Sequence, residues 1–266
     1  MRKKITVVFV MVALFAFSSV AIASDITCWF PAGWKTKGKM ARDITNALSS
    51  KSGITIKPRI ARNYPEILKA FDSKKPTLVY VGSFVQAIIA ARNLGTPLVQ
   101  NINGKELYSG IMVYPKGQDP KAILKDYPEE IAFAIGASSG ESSAKAATQG
   151  KANFGVSNHG AAAGAVRAGK AKAAVVKNWW WEAHKDKFPM LEAYRIPGVT
   201  IEKNPDNILT ANKEVPFVTQ VKITKAAIAS KDAFGAKEMV PFDMTRIEFP
   251  LELMEKGKID PLTYSW

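Results

Sequence analysis

Apolar positions along the chain come in two alternating rhythms. Residues 26–30 form a short, largely apolar run that reads as a strand. Met40, Ala41, Ile44 and Leu48 then recur at helical spacing and predict a helix over 39–48. Alternation over 54–60 predicts a second strand, and Pro65 is placed for the first turn of a helix beginning at Tyr64. A third strand is predicted at 77–81, an apolar helix at 84–94, and further strands at 97–99 and 108–114.

A second round begins near Pro115. It holds an apolar strand at 130–135, a short strand at 153–156, an Ala-rich helix over 159–169 and a strand at 173–176, followed by Trp179, Trp180 and Trp181. From Val215 the pattern is helical again, at 223–230 and 251–256. Strand–helix alternation predicts an α/β fold with a largely parallel sheet. The two rounds predict two lobes. In open α/β sheets ligands bind at the carboxyl ends of strands, which here carry Trp34, Tyr64, Gly82, Ser83, Ser138, Ser139 and His159.

The stretch Gly136-Ala137-Ser138-Ser139-Gly140-Glu141-Ser142-Ser143 joins the predicted strand at 130–135 to a helix starting near Ala144. A tight, hydroxyl-rich turn at a helix N-terminus suits an oxyanion, because the first helical N–H groups lack intrahelical partners and the dipole is positive there. The same residues also fit simple N-capping through Ser-x-x-Glu.

The first residues read as a secretory leader: basic Arg2, Lys3 and Lys4, an apolar stretch over 5–17, and the small-x-small site Ala21-Ile22-Ala23. That stretch is shorter than the roughly 20 residues a membrane span needs. Cys28 is not in a lipobox, so a lipid anchor is not expected. Export to the periplasm with cleavage after Ala23 leaves a soluble chain long enough for one large domain or two lobes. The net charge of the whole chain is +14, and loss of the leader's three basic residues leaves +11. The lysines are scattered rather than striped with aromatics, so nucleic acid is not an expected partner. One cysteine excludes an internal disulfide, and with only His159 and His184 a multi-histidine zinc site is excluded too. No cofactor or metal is expected.

Six short motifs, taken in order, resemble the phosphonate/phosphate type of periplasmic solute-binding protein of ABC transporters, a type II periplasmic binding protein. They are Asn63-Tyr64-Pro65, Tyr80-Val81-Gly82-Ser83, Tyr108-Ser109-Gly110, Ala137-Ser138-Ser139-Gly140, Asn158-His159-Gly160 and Gly169-Lys170-Ala171-Lys172-Ala173-Ala174-Val175-Val176. The resemblance implies a two-lobed fold with a ligand cleft between the lobes: a leader at 1–23, a first lobe from 24–112 and 215–266, and a second lobe at 113–214. Crossovers are expected near 111–114 and 215–221. It implies a small oxyanion ligand of the phosphonate, phosphate or phosphite class, bound by Tyr64, Ser83, Tyr108, Ser138, Ser139, Gly140 and His159. It also implies an inner-membrane ABC permease as partner, a monomer, and no catalysis.

Two departures from the family's pattern matter. Ala137 replaces the first hydroxyl of its Ser-Thr-Ser-Gly turn. Lys172 and Lys177 stand where aminoalkylphosphonate binders place acids, which turns the expectation away from ligands carrying an amine. Two rival readings remain. Gly136-Ala137-Ser138-Ser139-Gly140 matches the Gly-x-Ser-x-Gly elbow of exported serine hydrolases, although no histidine follows His184 to complete a late-chain triad. A sensor presenting its ligand to a membrane receptor would share the fold.

Overall fold

The computed structural model describes residues 25–136 and 138–265. The expected leader at 1–23 and the substituted position Ala137 lie outside the described residues. Among the described residues no helix is long and apolar enough to cross a membrane.

The chain opens with β1 (Ile26–Phe30), α1 (Gly38–Ser52), β2 (Ile56–Ile60), α2 (Tyr64–Phe71), β3 (Thr77–Val81), α3 (Ser83–Ala91) and β4 (Gly95–Ile102). Helix α1 ends on Gly53 at φ +71°, the left-handed stop that a residue without Cβ supplies. Helix α2 starts in a reciprocal cap. Asn63 accepts from the Glu66 N–H at 3.0 Å, and Glu66 accepts from the Arg62 N–H at 2.8 Å.

After β5 (Leu107–Tyr108) the chain enters a second region: β6 (Gly110–Pro115), α4 (Pro120–Asp126), β7 (Ile131–Ala134), α5 (Ser139–Ala147), β8 (Phe154–Val156), α6 (His159–Arg167), β9 (Ala173–Lys177), α7 (Asn178–His184) and β10 (Leu191–Tyr194). It returns through β11 (Asn204–Pro205) to β12 (Ile208–Asn212), α8 (Phe217–Ile228), β13 (Glu238–Pro241) and α9 (Glu248–Lys256).

Two sheets result, a six-stranded one ordered β13-β4-β12-β3-β1-β2 and a five-stranded one ordered β10-β6-β9-β7-β8. Each is sandwiched between two cores, as period-two side chains require. Cys28, Phe30, Leu78 and Tyr80 face one side of the first sheet, and Trp29, Val79 and Val81 face the other. In the second sheet Ala173 and Val175 face one core, Ala174 and Val176 the other.

The sheets are mixed, not largely parallel. Strands β1, β2 and β3 run parallel, as do β7, β8 and β9. Strand β12 is antiparallel to β3 and β4, and β6 is antiparallel to β9. The reason is where the chain changes sheet. Both crossings lie at the carboxyl ends of the parallel strands, so a strand that enters a sheet from there must run against its neighbours. The crossings themselves pair as the short antiparallel ladder β5–β11. They precede the segments in which crossovers were expected: residues 111–114 are already inside β6, and β12 joins the first sheet before Val215.

Helix α9 packs against both regions. Its Phe249 and Leu253 join a core of the second sheet, while its Met254, with Ile259 just beyond the helix, joins a core of the first.

Candidate functional site

A cavity of about 340 Å³ opens where the two sheets present their strand ends. Residues of the first region line one side, among them Trp34, Tyr64, Gly82 and Phe84. Ser138, Ser139, His159, Lys177 and Trp180 line the other, and Tyr108, Asp206 and Asn207 come from the crossings.

Four helices of eight or nine residues begin at this cavity: α2 at Tyr64, α3 at Ser83, α5 at Ser139 and α6 at His159. Each follows a strand of a parallel set, so all four start at strand carboxyl ends, which is why their N-termini converge. Their dipoles add positive potential at one point. Asn63, Ser138 and Asn158 cap three of them, whereas Gly82 brings no side-chain cap to α3.

Five of the seven expected site residues line the cavity: Tyr64, Tyr108, Ser138, Ser139 and His159. Ser83 is set behind it, fully buried, with its hydroxyl 2.6 Å from the Tyr108 phenol oxygen and donating to Asn204 Oδ1 at 3.4 Å. Its place is to orient Tyr108. Gly140 is also set back. A Cβ there would lie 2.7 Å from the Val175 carbonyl oxygen, so this glycine lets α5 press against β9.

Ser138 does what an N-cap does. Its hydroxyl accepts from the Glu141 N–H at 3.1 Å and donates to the Ala134 carbonyl. Both bonds are to backbone atoms and neither is to a histidine, so the serine–histidine pairing of a hydrolase elbow is not formed. Glu141 is buried and reaches back to accept from the Gly136 N–H at 3.0 Å, with Lys145 paired to it at 2.9 Å. That fixes the turn and leaves Ser139 as the hydroxyl at the head of α5.

His159 presents a buried Nδ1 without a hydrogen-bond partner. Burial, with the Lys177 charge adding, pushes its pKa down to about 4, so the imidazole is neutral at pH 7. Burial, aided by the Asp206 charge, pushes the Tyr64 phenol up to about 12. The Tyr108 phenol is raised further by the same causes in the same order. Both therefore stay protonated; the Tyr64 phenol is the donor open to a ligand, since the Tyr108 hydrogen is taken by Ser83.

The two lysines part company. Lys177 ends β9 at the cavity, its ammonium 2.6 Å from Asp206 Oδ2 and above the Tyr108 and Trp179 rings at 4.2 and 4.5 Å. Lys172 precedes the same strand, about 16 Å away at strand rise, and lies over Tyr127. The three tryptophans also separate: Trp179 meets Tyr108 edge-on, Trp180 lines the cavity and Trp181 is core. Asp206 escaped the sequence reading. Its one signal was the turn-forming run Asn204-Pro205-Asp206-Asn207 between apolar stretches.

The family described as ABC transporter, phosphonate, periplasmic substrate-binding protein matches residues 38–248. No curated protein matches the chain by sequence. Among solved structures, PhnD1 of Prochlorococcus marinus in complex with methylphosphonate is similar at 15% identity and TM-score 0.68, covering 89% of this chain and 99% of its own. A Xanthomonas citri protein bound to ATP gives 9% identity and TM-score 0.69, over 88% and 97%. A binding-protein component of an ABC phosphonate transporter from Pseudomonas aeruginosa gives 13% and 0.66, over 89% and 87%.

Proposed function

We propose a ligand for a chain that belongs to the periplasmic phosphonate substrate-binding proteins of ABC transporters: a small tetrahedral oxyanion of the phosphonate, phosphate or phosphite class. The family sets the role, which is capture of a small solute in the periplasm for delivery to an ABC permease. The identity of the solute, its contacts and the absence of chemistry are our reading. So are cleavage of the leader after Ala23 and action as a monomer.

One observation carries the ligand class. Four helix N-termini, the Ser139 hydroxyl, the Tyr64 phenol and the His159 ring all meet at one cavity. Convergent neutral donors in a half-buried site favour an anion, and hydrogen bonds to a charged acceptor are the strong ones. The cavity holds the volume of about eleven waters, more than a bare oxyanion fills. Binding therefore calls for closure of the two halves about the β5–β11 ladder, or for an organic substituent against Trp34, Phe84 and Trp180. Closure follows when the ligand touches both halves and so binds the closed state more tightly.

Lys177 narrows the class. Its ammonium already occupies the Asp206 carboxylate. A ligand amine would have to displace it, so we propose that amine-free ligands such as methylphosphonate are preferred. The similar protein from Prochlorococcus marinus, whose structure contains methylphosphonate, supports this reading.

The test is a thermal-shift panel of methylphosphonate, phosphite, phosphate, sulfate and 2-aminoethylphosphonate. Ligand at about 100 times its dissociation constant adds about 2.7 kcal/mol, which raises the midpoint by roughly 5–10 °C for a chain of this size. If no phosphorus oxyanion shifts the midpoint, the proposed ligand class is wrong.

A further inference from the structure

We propose that Tyr264, in the C-terminal tail, is a positioning residue for the Ser138–Ser139 turn, acting through Glu141 from the opposite side of the cleft. This rests on the reading of that turn as the anion site.

Tyr264 is anchored to the first region. Its ring packs against Phe84 with centroids 5.4 Å apart. Arg92, at the end of α3, donates from its guanidinium to the Tyr264 carbonyl at 2.7 Å and to the Pro261 carbonyl at 2.8 Å. Asp260 closes the turn that leads there, accepting from the Leu262 N–H at 2.9 Å and the Thr263 hydroxyl at 2.8 Å. From this mount the Tyr264 phenol crosses to the second region and donates to Glu141 Oε2 at 2.8 Å.

Glu141 is a buried carboxylate at the base of the turn. The oxygen that takes the Tyr264 proton donor also accepts from the Gly136 N–H at 3.0 Å, while its other oxygen takes Lys145 at 2.9 Å. Gly136 has φ +89°, a conformation open to glycine and strained for other residues. The bond from Gly136 to Glu141 holds this hinge-like residue, and Ser138 and Ser139 follow two and three positions later. Phe84, against which Tyr264 packs, lines the cavity itself. The tail thus touches the back of both walls. Helix α9 brings it into place: a Cβ on Gly257 would lie 3.0 Å from the Ala146 backbone nitrogen, so the end of α9 is pressed against α5.

Removing the phenol oxygen takes one donor from Glu141 and keeps the ring. The carboxylate gains freedom to leave Gly136, and the turn that carries Ser139 loosens.

The experiment compares the full-length wild type with Tyr264→Phe. Deuterium uptake is measured on the ligand-free protein over residues 131–147, and methylphosphonate affinity by calorimetry. The expected result is faster exchange at the turn, a thermal midpoint within about 2 °C of wild type, and affinity reduced about threefold to tenfold. A Glu141→Ala background, which has no acceptor for the phenol, should make Tyr264→Phe nearly silent in affinity. Unchanged exchange at the turn overturns the inference, and so does faster exchange with unchanged affinity. A wild type that ignores methylphosphonate refutes the ligand reading instead, and the exchange comparison still decides the role of Tyr264.

Discussion

Lys177 and Asp206 meet at 2.6 Å in the wall of the cleft, one from the end of a strand in the five-stranded sheet, the other from the segment returning to the six-stranded sheet. Both are mostly shielded from water, at 19% and 16% side-chain exposure. Shielding makes the pair costly to break, because whichever partner remains is a poorly solvated charge. Gly82 makes room for it: a Cβ there would come within 2.9 Å of Asp206 Oδ1. The pair is neutral as a unit, so the anion is left to the N–H, hydroxyl and imidazole groups of the cavity.

Lys177→Ala is therefore expected to do two things. It leaves the Asp206 carboxylate facing the site, which repels an anion and lowers methylphosphonate affinity at least tenfold. It also frees that carboxylate for a ligand amine, so preference moves toward 2-aminoethylphosphonate. Calorimetric titration of both ligands against wild type and variant checks this. A wild type that already prefers the amino compound defeats the proposed selectivity. A preference that ignores the substitution takes Lys177 out of ligand choice.

Ser139→Ala and His159→Ala each remove one donor from the anion site. A hydrogen bond to a charged group is worth roughly 1.5–3 kcal/mol, so affinity should fall by about one to two decades in each variant. Ser138→Ala should instead act mainly on stability, by about 1 kcal/mol, since its hydroxyl caps α5. Affinity by titration and stability by denaturant melts separate the two effects. If Ser139→Ala and His159→Ala both bind as wild type does, the turn is not the anion site.

The strands and helices of the first region were legible because their signals are local. Period-two and 3.6-residue patterns and Pro65 act within a few residues. What was not legible is what depends on the return of the chain. Strand β12 is wholly buried, Ile208-Leu209-Thr210-Ala211-Asn212, and carries no alternation to betray it. Its polar members are satisfied by partners far away in sequence: Thr210 donates to Gln86 at 2.9 Å, and Asn212 donates to Lys75 at 2.8 Å. Asp206 was missed for the same reason, since only the crossing brings it to Lys177. In the site, helix-start residues such as Tyr64, Ser139 and His159 could be read from motifs. The difference between Ser139 and its neighbours Ser138 and Gly140 could not, because it depends on which way each points relative to β9.

Gly140→Ala is expected to destabilise the fold although residue 140 does not line the cavity. The added methyl would sit 2.7 Å from the Val175 carbonyl oxygen, a backbone atom that cannot swing away. Overpacking of this kind costs typically 1–3 kcal/mol. It should also shift α5 outward and carry Ser139 with it, so affinity falls together with stability. Denaturant unfolding that matches wild type would show that α5 has slack against the sheet.

His159 gives the protein an acid-sensitive window. Its folded pKa is about 4, lowered by burial and by Lys177, against 6.5 in a free imidazole. The unfolded chain therefore takes up a proton first as pH falls. The contribution of the neutral imidazole is intact above pH 6.5 and lost progressively toward pH 4, on the order of 3 kcal/mol in total. A bound oxyanion beside the His159 ring reverses the balance, since a nearby negative charge favours the imidazolium. Binding between pH 4 and 6.5 should then be accompanied by proton uptake, seen as a binding enthalpy at pH 5.5 that depends on the ionisation heat of the buffer. His159→Gln should flatten the stability profile over this window and remove the buffer dependence. Parallel stability profiles for wild type and His159→Gln between pH 7 and 5 would show that this histidine is not held neutral by the fold. A buffer-independent enthalpy would show that the anion does not share its proton.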